Sequence, residues 1–110
     1  MTATMKIYYI SGRISGDEHN AKELFRKAKE FLQQLGYGVV NPFDNGLHSD
    51  SNWERHLAVD IINMLKCDGL MQLEGWQQSR GARLEHEIAS IKGMEIRSIK
   101  DLGFYDNYHR

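Results

Sequence analysis

Short apolar segments alternate with longer amphipathic ones along this chain, and that alternation constrains the fold more than any other feature. Four short segments are predicted as strands over 6–10, 37–40, 68–73 and 94–99, of which the first is rich in β-branched and aromatic residues and the third is a short apolar run. Three amphipathic segments between them are predicted as helices, from 17 or 18 to 35, from 52 to 66 and from 79 to 92. This order predicts an α/β fold: an open parallel sheet of four to five strands, with right-handed crossovers and helices on both faces, as in flavodoxin-like and Rossmann-like proteins.

The length and charge of the chain restrict its class and its partners. The 110 residues are predicted to form a single domain, with a core over 6–97 and a tail, 98–110, that stays unassigned. A net charge of −1, with both signs interspersed, argues against a polymeric nucleic acid or a membrane surface as partner. Because the core is small, we expect a homo-oligomer. Neither a membrane-spanning run nor a signal peptide is recognisable, so we expect a cytoplasmic protein.

The cysteine and histidine content argues against a metal centre. Cys67 is the one cysteine, which excludes an internal disulfide and a cysteine-based zinc site. We interpret it as a small buried hydrophobe rather than a nucleophile. His56 and Asp60 have the spacing of a metal pair on one helix face, but no third ligand lies at a suitable spacing. We therefore predict no metal site.

The loop after the first strand, residues 11–16, is a candidate binding site for a phosphate or a sugar. Its glycines permit a close backbone approach, its serines and free N–H groups donate hydrogen bonds, and Arg13 adds a positive charge. The spacing fits neither the Walker pattern nor the dinucleotide-binding glycine pattern, so an ATP or NAD site is not supported. The alternative is an ordinary turn between a strand and a helix.

A second candidate site lies where the third helix begins. Ser79 is predicted to cap this helix, and Gly81 in its first turn lowers helix propensity by about 1 kcal/mol relative to alanine. An unfavourable glycine there suggests that a ligand approaches the backbone. Glu85 and Glu87 flank the predicted buried stripe on opposite sides, so periodicity does not choose between them as a functional carboxylate, and either is otherwise a surface residue. That stripe is Leu84, Ile88 and Ile91.

Three further side chains are candidates on the predicted ligand side of the sheet. Asp60 lies in the apolar run of the second helix, which is unusual for an aspartate unless it is paired or functional. The alternative is an exposed position on an amphipathic helix. Trp53 and Trp76 lie in or beside loops, where either stacks on a planar base or packs within the protein.

Taken in order, these segments resemble the nucleoside 2-deoxyribosyltransferase superfamily. The nearest resemblance is to small phage and bacterial proteins of the family DUF4406, and the chain is also similar to the 2'-deoxynucleoside 5'-monophosphate N-glycosidases. The resemblance spans residues 6 to about 97, and each motif alone is weak, whereas the ordered set is fairly specific. The motifs that carry it are segment 7–16, Asp60, Cys67-Asp68-Gly69 and Ser79-x-Gly81-x-x-x-Glu85.

The resemblance implies cleavage or transfer at the N-glycosidic bond of a (deoxy)nucleoside or nucleoside monophosphate, with no metal or organic cofactor. Its catalytic glutamate, aspartate and tyrosine correspond to Glu85, Asp60 and Tyr9. Glu85 would attack the anomeric carbon, and water or a second base would resolve the covalent intermediate. Asp60 would orient the sugar or shuttle a proton at the base. The residues expected to bind substrate are Ser11, Gly12, Arg13, Ser15, Ser79 and Gly81.

The match departs from the N-glycosidase pattern in the first loop. Those enzymes carry an arginine where this chain has Ser15, and a serine where it has Arg13. Arg80 and Arg83 are additional charges within the second motif, and they either bind phosphate or pair with Glu87 and Asp60. The alternative function is a non-catalytic module that binds a nucleotide or a nucleotide-sugar.

Overall fold

The four strands lie in one parallel sheet. The computed structural model describes residues 5–14, 16–47 and 52–106. The strands are β1 (Ile7–Ser11), β2 (Gly38–Val40), β3 (Gly69–Gln72) and β4 (Glu95–Ser98), and the helices are α1 (Glu18–Gln34), α2 (Trp53–Leu65) and α3 (Arg80–Lys92). The sheet order is β2-β1-β3-β4, and every neighbouring pair is parallel. The predicted α/β architecture is confirmed, with four strands in the described chain.

Alternate side chains of β1 pack into two separate cores, one on each face of the sheet. Tyr8 and Ile10 point to the α1 side, where they pack with Phe25. Tyr9 points to the opposite side and packs with Met64 of α2 and with Ala89 of α3. Helices therefore cover both faces, as the alternation of segments predicted.

The predicted bounds of α2 and α3 agree with the observed helices to within one residue, and capping contacts explain where these helices begin and end. The Asn52 side chain accepts a hydrogen bond from the backbone N–H of Arg55 at 2.7 Å, so α2 begins directly after it. Gly93 has a φ of 80°, a left-handed conformation that glycine adopts without strain, and it ends α3. Within the described residues, no helix is long and apolar enough to cross a membrane.

The predicted buried stripe of α3 is wrong at Leu84 and Ile91, whereas Ile88 is partly buried and packs against the core. Leu84 is 38% exposed and Ile91 is 80% exposed, whereas the buried residues of this helix are Ala82, Glu85 and Ala89. The physical reason is that small alanine side chains let α3 pack closely on the sheet. On α2 the buried residues are Asp60 and Met64, whereas Leu65 is 36% exposed.

The segment after β4 belongs to the core on the α1 side. It forms two short 3₁₀ turns, Ile99–Leu102 and Phe104–Asp106. Ile99 and Phe104 are buried, and the Phe104 ring packs edge-on against Phe31 with centroids 5.3 Å apart. This accounts for the unassigned tail as far as Asp106, and residues 107–110 lie outside the described part of the chain.

Candidate active site

A cleft of about 1000 Å³ opens at the carboxyl ends of β1 and β3. The connection from β1 leads to β2 on one side of the sheet, and the connection from β3 leads to β4 on the other. Open parallel sheets bind ligands at such a switch in strand order. The walls come from the segments after β1 and β2, from α2, and from the first turns of α1 and α3.

Glu85 of α3 lies in the wall of this cleft and is only 6% exposed. Both of its carboxylate oxygens accept hydrogen bonds: Oε1 from the Ser11 hydroxyl at 2.6 Å, and Oε2 from the Tyr9 hydroxyl at 3.1 Å. Glu87, in contrast, is exposed on the same helix. The geometry thus distinguishes two glutamates that periodicity left equivalent.

Burial sets the acidity of the Glu85 carboxyl. The pKa of Glu85 is raised from 4.5 to about 7, chiefly by loss of hydration and also by the charge of Asp60, while the hydrogen bonds from Ser11 and Tyr9 oppose the rise. Burial, with the neighbouring Glu85 charge, also raises the pKa of Tyr9 well above its usual value. Tyr9 therefore stays protonated and acts as a hydrogen-bond donor at neutral pH.

Ser11 occupies a different place from the one predicted for it. It was expected in the ligand-facing wall, but it is 1% exposed and its hydroxyl contacts the Glu85 carboxylate. Its contact within the described chain is therefore with the candidate nucleophile. Sequence reasoning had no signal for this pairing, because the two residues are 74 positions apart.

Asp60 of α2 lines the same cleft and is buried rather than exposed. Its Oδ1 accepts a hydrogen bond from the Asn45 side-chain amide at 3.1 Å. Burial raises the pKa of the Asp60 carboxyl, against the opposing effects of the Asn45 hydrogen bond and of His56. Two carboxyl groups with raised pKa values, Glu85 and Asp60, thus face one cavity, which is a typical property of active sites.

Asn45 and His56 are cleft residues to which sequence reasoning gave no role in the reaction. The Asn45 Nδ2 atom lies 2.9 Å from His56 Nδ1. The spacing of four residues between His56 and Asp60 on α2 was a signal for the histidine. Nothing in the sequence singled out Asn45, which follows a short turn after β2.

The glycines of the two candidate motifs have different roles. A Cβ atom at Gly12 would lie 3.0 Å from the Leu73 Cβ, so the close approach of this loop to the end of β3 favours glycine. A Cβ at Gly81 would meet nothing nearer than 3.9 Å, so packing within the chain does not require glycine there. Gly81 faces the cleft, and its bare backbone is open to a ligand.

The remaining predicted contacts divide between the cleft and the rest of the chain. Arg13 and Ser79 line the cleft, and the Ser79 hydroxyl also accepts a hydrogen bond from the Ala82 N–H at 3.1 Å, as a helix cap does. Ser15 lies outside the described residues. Of the two tryptophans, Trp53 lines the cleft, whereas the Trp76 ring stacks on His86 with centroids 4.5 Å apart.

The two additional arginines of α3, Arg80 and Arg83, make different contacts. The Arg80 guanidinium lies over the Trp53 ring, 4.6 Å from its centroid, and both side chains line the cleft. Arg83 donates to the Gln77 carbonyl at 2.7 Å. Across the described ranges of the chain, no group of three His, Cys, Asp or Glu side chains is placed to hold a metal ion.

Comparisons with known proteins agree with this fold. The model of the family described as "Domain of unknown function (DUF4406)" matches residues 5–98. A solved 2-deoxyribosyltransferase from the psychrotolerant bacterium Bacillus psychrosaccharolyticus has a similar structure, with a TM-score of 0.60 at 18% sequence identity. The similarity covers 84% of this chain and 70% of that chain. No match is found among curated proteins.

Proposed function

We propose a function for this chain, which belongs to the DUF4406 family. In this proposal the protein cleaves the N-glycosidic bond of a deoxynucleoside or its monophosphate, with Glu85 as nucleophile. The observation that carries this proposal is the buried Glu85 carboxylate, which faces the cleft and has both oxygens oriented by hydroxyl groups. The structural similarity to a 2-deoxyribosyltransferase supports the same class of reaction.

In the first step, a Glu85 oxygen bonds to the C1' atom of the sugar while the bond from C1' to the base nitrogen breaks. The bonding electron pair leaves with the base, and the protonated Asp60 carboxyl supplies the proton that the base nitrogen needs. The sugar acquires positive charge in the transition state, and the adjacent Glu85 carboxylate stabilises that charge. The raised pKa of Asp60 favours the proton-donating form.

In the second step, water or a second base attacks C1' and breaks the ester bond to Glu85. The Glu85 carboxylate is restored, and the proton lost by the water or the incoming base returns to Asp60. Water as the acceptor makes the protein a hydrolase, and a base makes it a transferase. Both outcomes use the same two carboxyl groups.

The acidity of Glu85 gives this reaction a defined pH dependence. Only the ionised carboxylate is nucleophilic, and the pKa of Glu85 is about 7. The ionised fraction of Glu85 therefore rises as the pH increases through 7, whereas the protonated fraction of Asp60 falls as the pH increases, so the rate of the first step is expected to have a bell-shaped pH profile. Tyr9 and Ser11 are positioning residues in this scheme, because their hydroxyl groups hold the carboxylate and favour its ionised form.

The surrounding cleft provides the groups that a nucleoside needs. The backbone of Gly81, the Ser79 hydroxyl and Arg13 line the cleft, and in this scheme they bind the sugar or its phosphate. The Arg80 guanidinium covers one face of the Trp53 ring, so a planar base would stack on the other face of this ring. These contacts support a small-molecule substrate.

Product analysis tests the proposal. The protein is incubated with a panel of deoxynucleosides and their 5'-monophosphates, with and without an acceptor base, and free base is measured by chromatography. We expect base release by the wild type and by Glu87→Gln, which alters an exposed carboxylate of the same helix. Glu85→Gln is expected to lose turnover.

Two results would overturn the assignment. Base release by Glu85→Gln at the wild-type rate excludes Glu85 as nucleophile. No release by any variant, together with tight binding of an intact nucleotide by both the wild type and Glu85→Gln, supports the alternative of a non-catalytic binding module.

We also propose a cytoplasmic homo-oligomer. The outer surfaces of α2 and α3 carry apolar side chains that are substantially exposed in one chain, including Ile62 at 55% and Ile91 at 80%. Light scattering over a range of concentrations measures the assembly state. A monomer at every concentration contradicts this part of the proposal.

A further inference from the structure

Asn45 connects Asp60 to His56 within one wall of the cleft. Its Nδ2 atom donates a hydrogen bond to Asp60 Oδ1 at 3.1 Å and lies 2.9 Å from His56 Nδ1. Its Oδ1 atom accepts a hydrogen bond from the backbone N–H of Leu47 at 2.9 Å. One amide side chain thus contacts a candidate proton donor, a histidine and the main chain.

The Leu47 contact fixes which way the amide points. A backbone N–H is only a donor, so the Asn45 oxygen must face it and the NH2 group must face the other two partners. The NH2 group has two hydrogens, one for Asp60 and one for His56. His56 Nδ1 is therefore the acceptor, and the neutral ring carries its proton on Nε2.

We propose that Asn45 is a positioning residue, which holds the Asp60 carboxyl group in place and at the same time selects the Nε2–H form of neutral His56. The consequence for catalysis rests on the proposed function of Asp60, whereas the hydrogen-bond arrangement does not. A protonated His56 carries a hydrogen on Nδ1 and no longer accepts from Asn45. The position of Asp60 is thereby linked to the protonation state of a histidine one turn away.

The charged groups around Asp60 explain why its orientation needs a separate support. Tyr9 from β1 and Glu85 from α3 face it across the cleft, and each interacts with its charge. Arg13 and Arg80 line the same cleft, while His56 lies on the same helix as Asp60. Asn45 donates a hydrogen bond to the Asp60 carboxyl group, and this contact lowers the pKa of Asp60 against the effect of burial.

Nuclear magnetic resonance tests the proposal without reference to turnover. Long-range ¹H–¹⁵N spectra of the full chain, with the His56 signals assigned by comparison with His56→Gln, report the histidine tautomer. We expect neutral His56 in the Nε2–H form, and a mixture of both tautomers in Asn45→Ala. A wild-type ring protonated on Nδ1 in its neutral form would overturn the proposal.

Carboxyl ¹³C titration of Asp60 provides the second readout. Asn45→Ala is expected to raise the Asp60 pKa by about one unit, because a hydrogen bond to the charged form is lost. Asn45→Asp keeps the shape and the Leu47 contact but places a carboxylate opposite Asp60, so a larger rise is expected. Asn20→Ala is the matched control, since it removes an exposed Asn–Asp hydrogen bond outside the cleft.

The two parts of the account fail separately. A rise in Asn45→Asp no larger than in Asn20→Ala overturns the role of Asn45, whatever the protein catalyses. If the tautomer and the titration agree with expectation but no base is released from any nucleoside, the arrangement stands and only the proposed reaction fails. Where turnover is present, Asn45→Asp is expected to lower kcat more than it changes KM, and to displace the pH profile.

Discussion

Replacement of Glu85 by glutamine is expected to change how the stability of the protein depends on pH. As the pH rises, the free energy of unfolding of Glu85→Gln is expected to increase relative to that of the wild type. The folded protein holds the pKa of Glu85 at about 7, whereas the unfolded chain has the ordinary value of 4.5. The folded state therefore favours the protonated form of Glu85. The stability associated with this preference is fully present below pH 4.5 and is lost as the pH rises through 7.

The magnitude follows from the difference between the two pKa values. Each pKa unit corresponds to about 1.36 kcal/mol, so the shift of Glu85 lowers the free energy of unfolding by about 3 kcal/mol between acid and alkaline pH. Most of this loss occurs between about pH 5 and 7. Glutamine has no charge to bury, and the Glu85→Gln variant does not undergo this loss. Asp60 titrates in both proteins, so its own contribution largely cancels in the difference.

Urea unfolding at a series of pH values measures this effect. The free energy of unfolding is extrapolated to water for the wild type, Glu85→Gln and the control Glu87→Gln at each pH. We expect the difference between Glu85→Gln and the wild type to increase by about 2–3 kcal/mol from pH 5 to pH 8. Glu87→Gln, at an exposed position, is expected to follow the wild type.

The reasoning is refuted if the wild type and Glu85→Gln have parallel pH profiles. Such a result would mean that the Glu85 carboxyl is hydrated in solution and titrates near 4.5, so burial would no longer account for its chemistry. If the free energy of unfolding of Glu85→Gln differed from that of the wild type by the same amount at every pH, the difference would reflect only lost packing or hydrogen bonds.

Three further substitutions follow from the same geometry. Ser79→Ala removes the side-chain cap of α3 and is expected to lower the free energy of unfolding by about 1 kcal/mol, measured by urea titration. A Cβ atom at Gly81 has no atom nearer than 3.9 Å, so Gly81→Ala is expected to stabilise α3 by up to about 1 kcal/mol. The same substitution is expected to weaken nucleoside binding, which is measured by calorimetry, and unchanged binding would exclude a ligand at this backbone. Gly69→Ala places a Cβ 2.8 Å from the Tyr8 ring and is expected to destabilise the protein by about 2 kcal/mol or more, seen as a lower Tm.

The sequence predicted the architecture well because its signals are local. Strand and helix patterns gave the element order and the approximate bounds of the helices, and Ser79 was predicted as the cap at which α3 begins. These features depend on residues within one turn of each other. They therefore hold regardless of how the elements pack.

Burial on α3 was predicted poorly because apolarity was treated as a guide to the inner face. Leu84 and Ile91 are more apolar than Glu85, but the face toward the sheet is defined by small residues that permit close packing. A carboxylate is tolerated on that face because Tyr9 and Ser11 satisfy both of its oxygens. Those partners come from β1, and no periodicity within α3 reveals them.

The contacts of Asn45 escaped prediction for a similar reason. They join a loop after β2 to α2, and only the packed chain brings these segments together. Asp60, by contrast, was visible as a charge within an apolar run. A polar residue in an apolar context is a signal in the sequence, whereas a polar residue in a loop is not.

Trapping the covalent intermediate tests the central claim most directly. The protein is mixed with the deoxynucleoside that it turns over, the reaction is quenched with acid, and the peptides are mapped by mass spectrometry. The account predicts a deoxyribosyl ester on the peptide that contains Glu85, located at Glu85 by fragmentation and absent from Glu85→Gln. An ester at another carboxylate, or base release by Glu85→Gln at the wild-type rate, would contradict it.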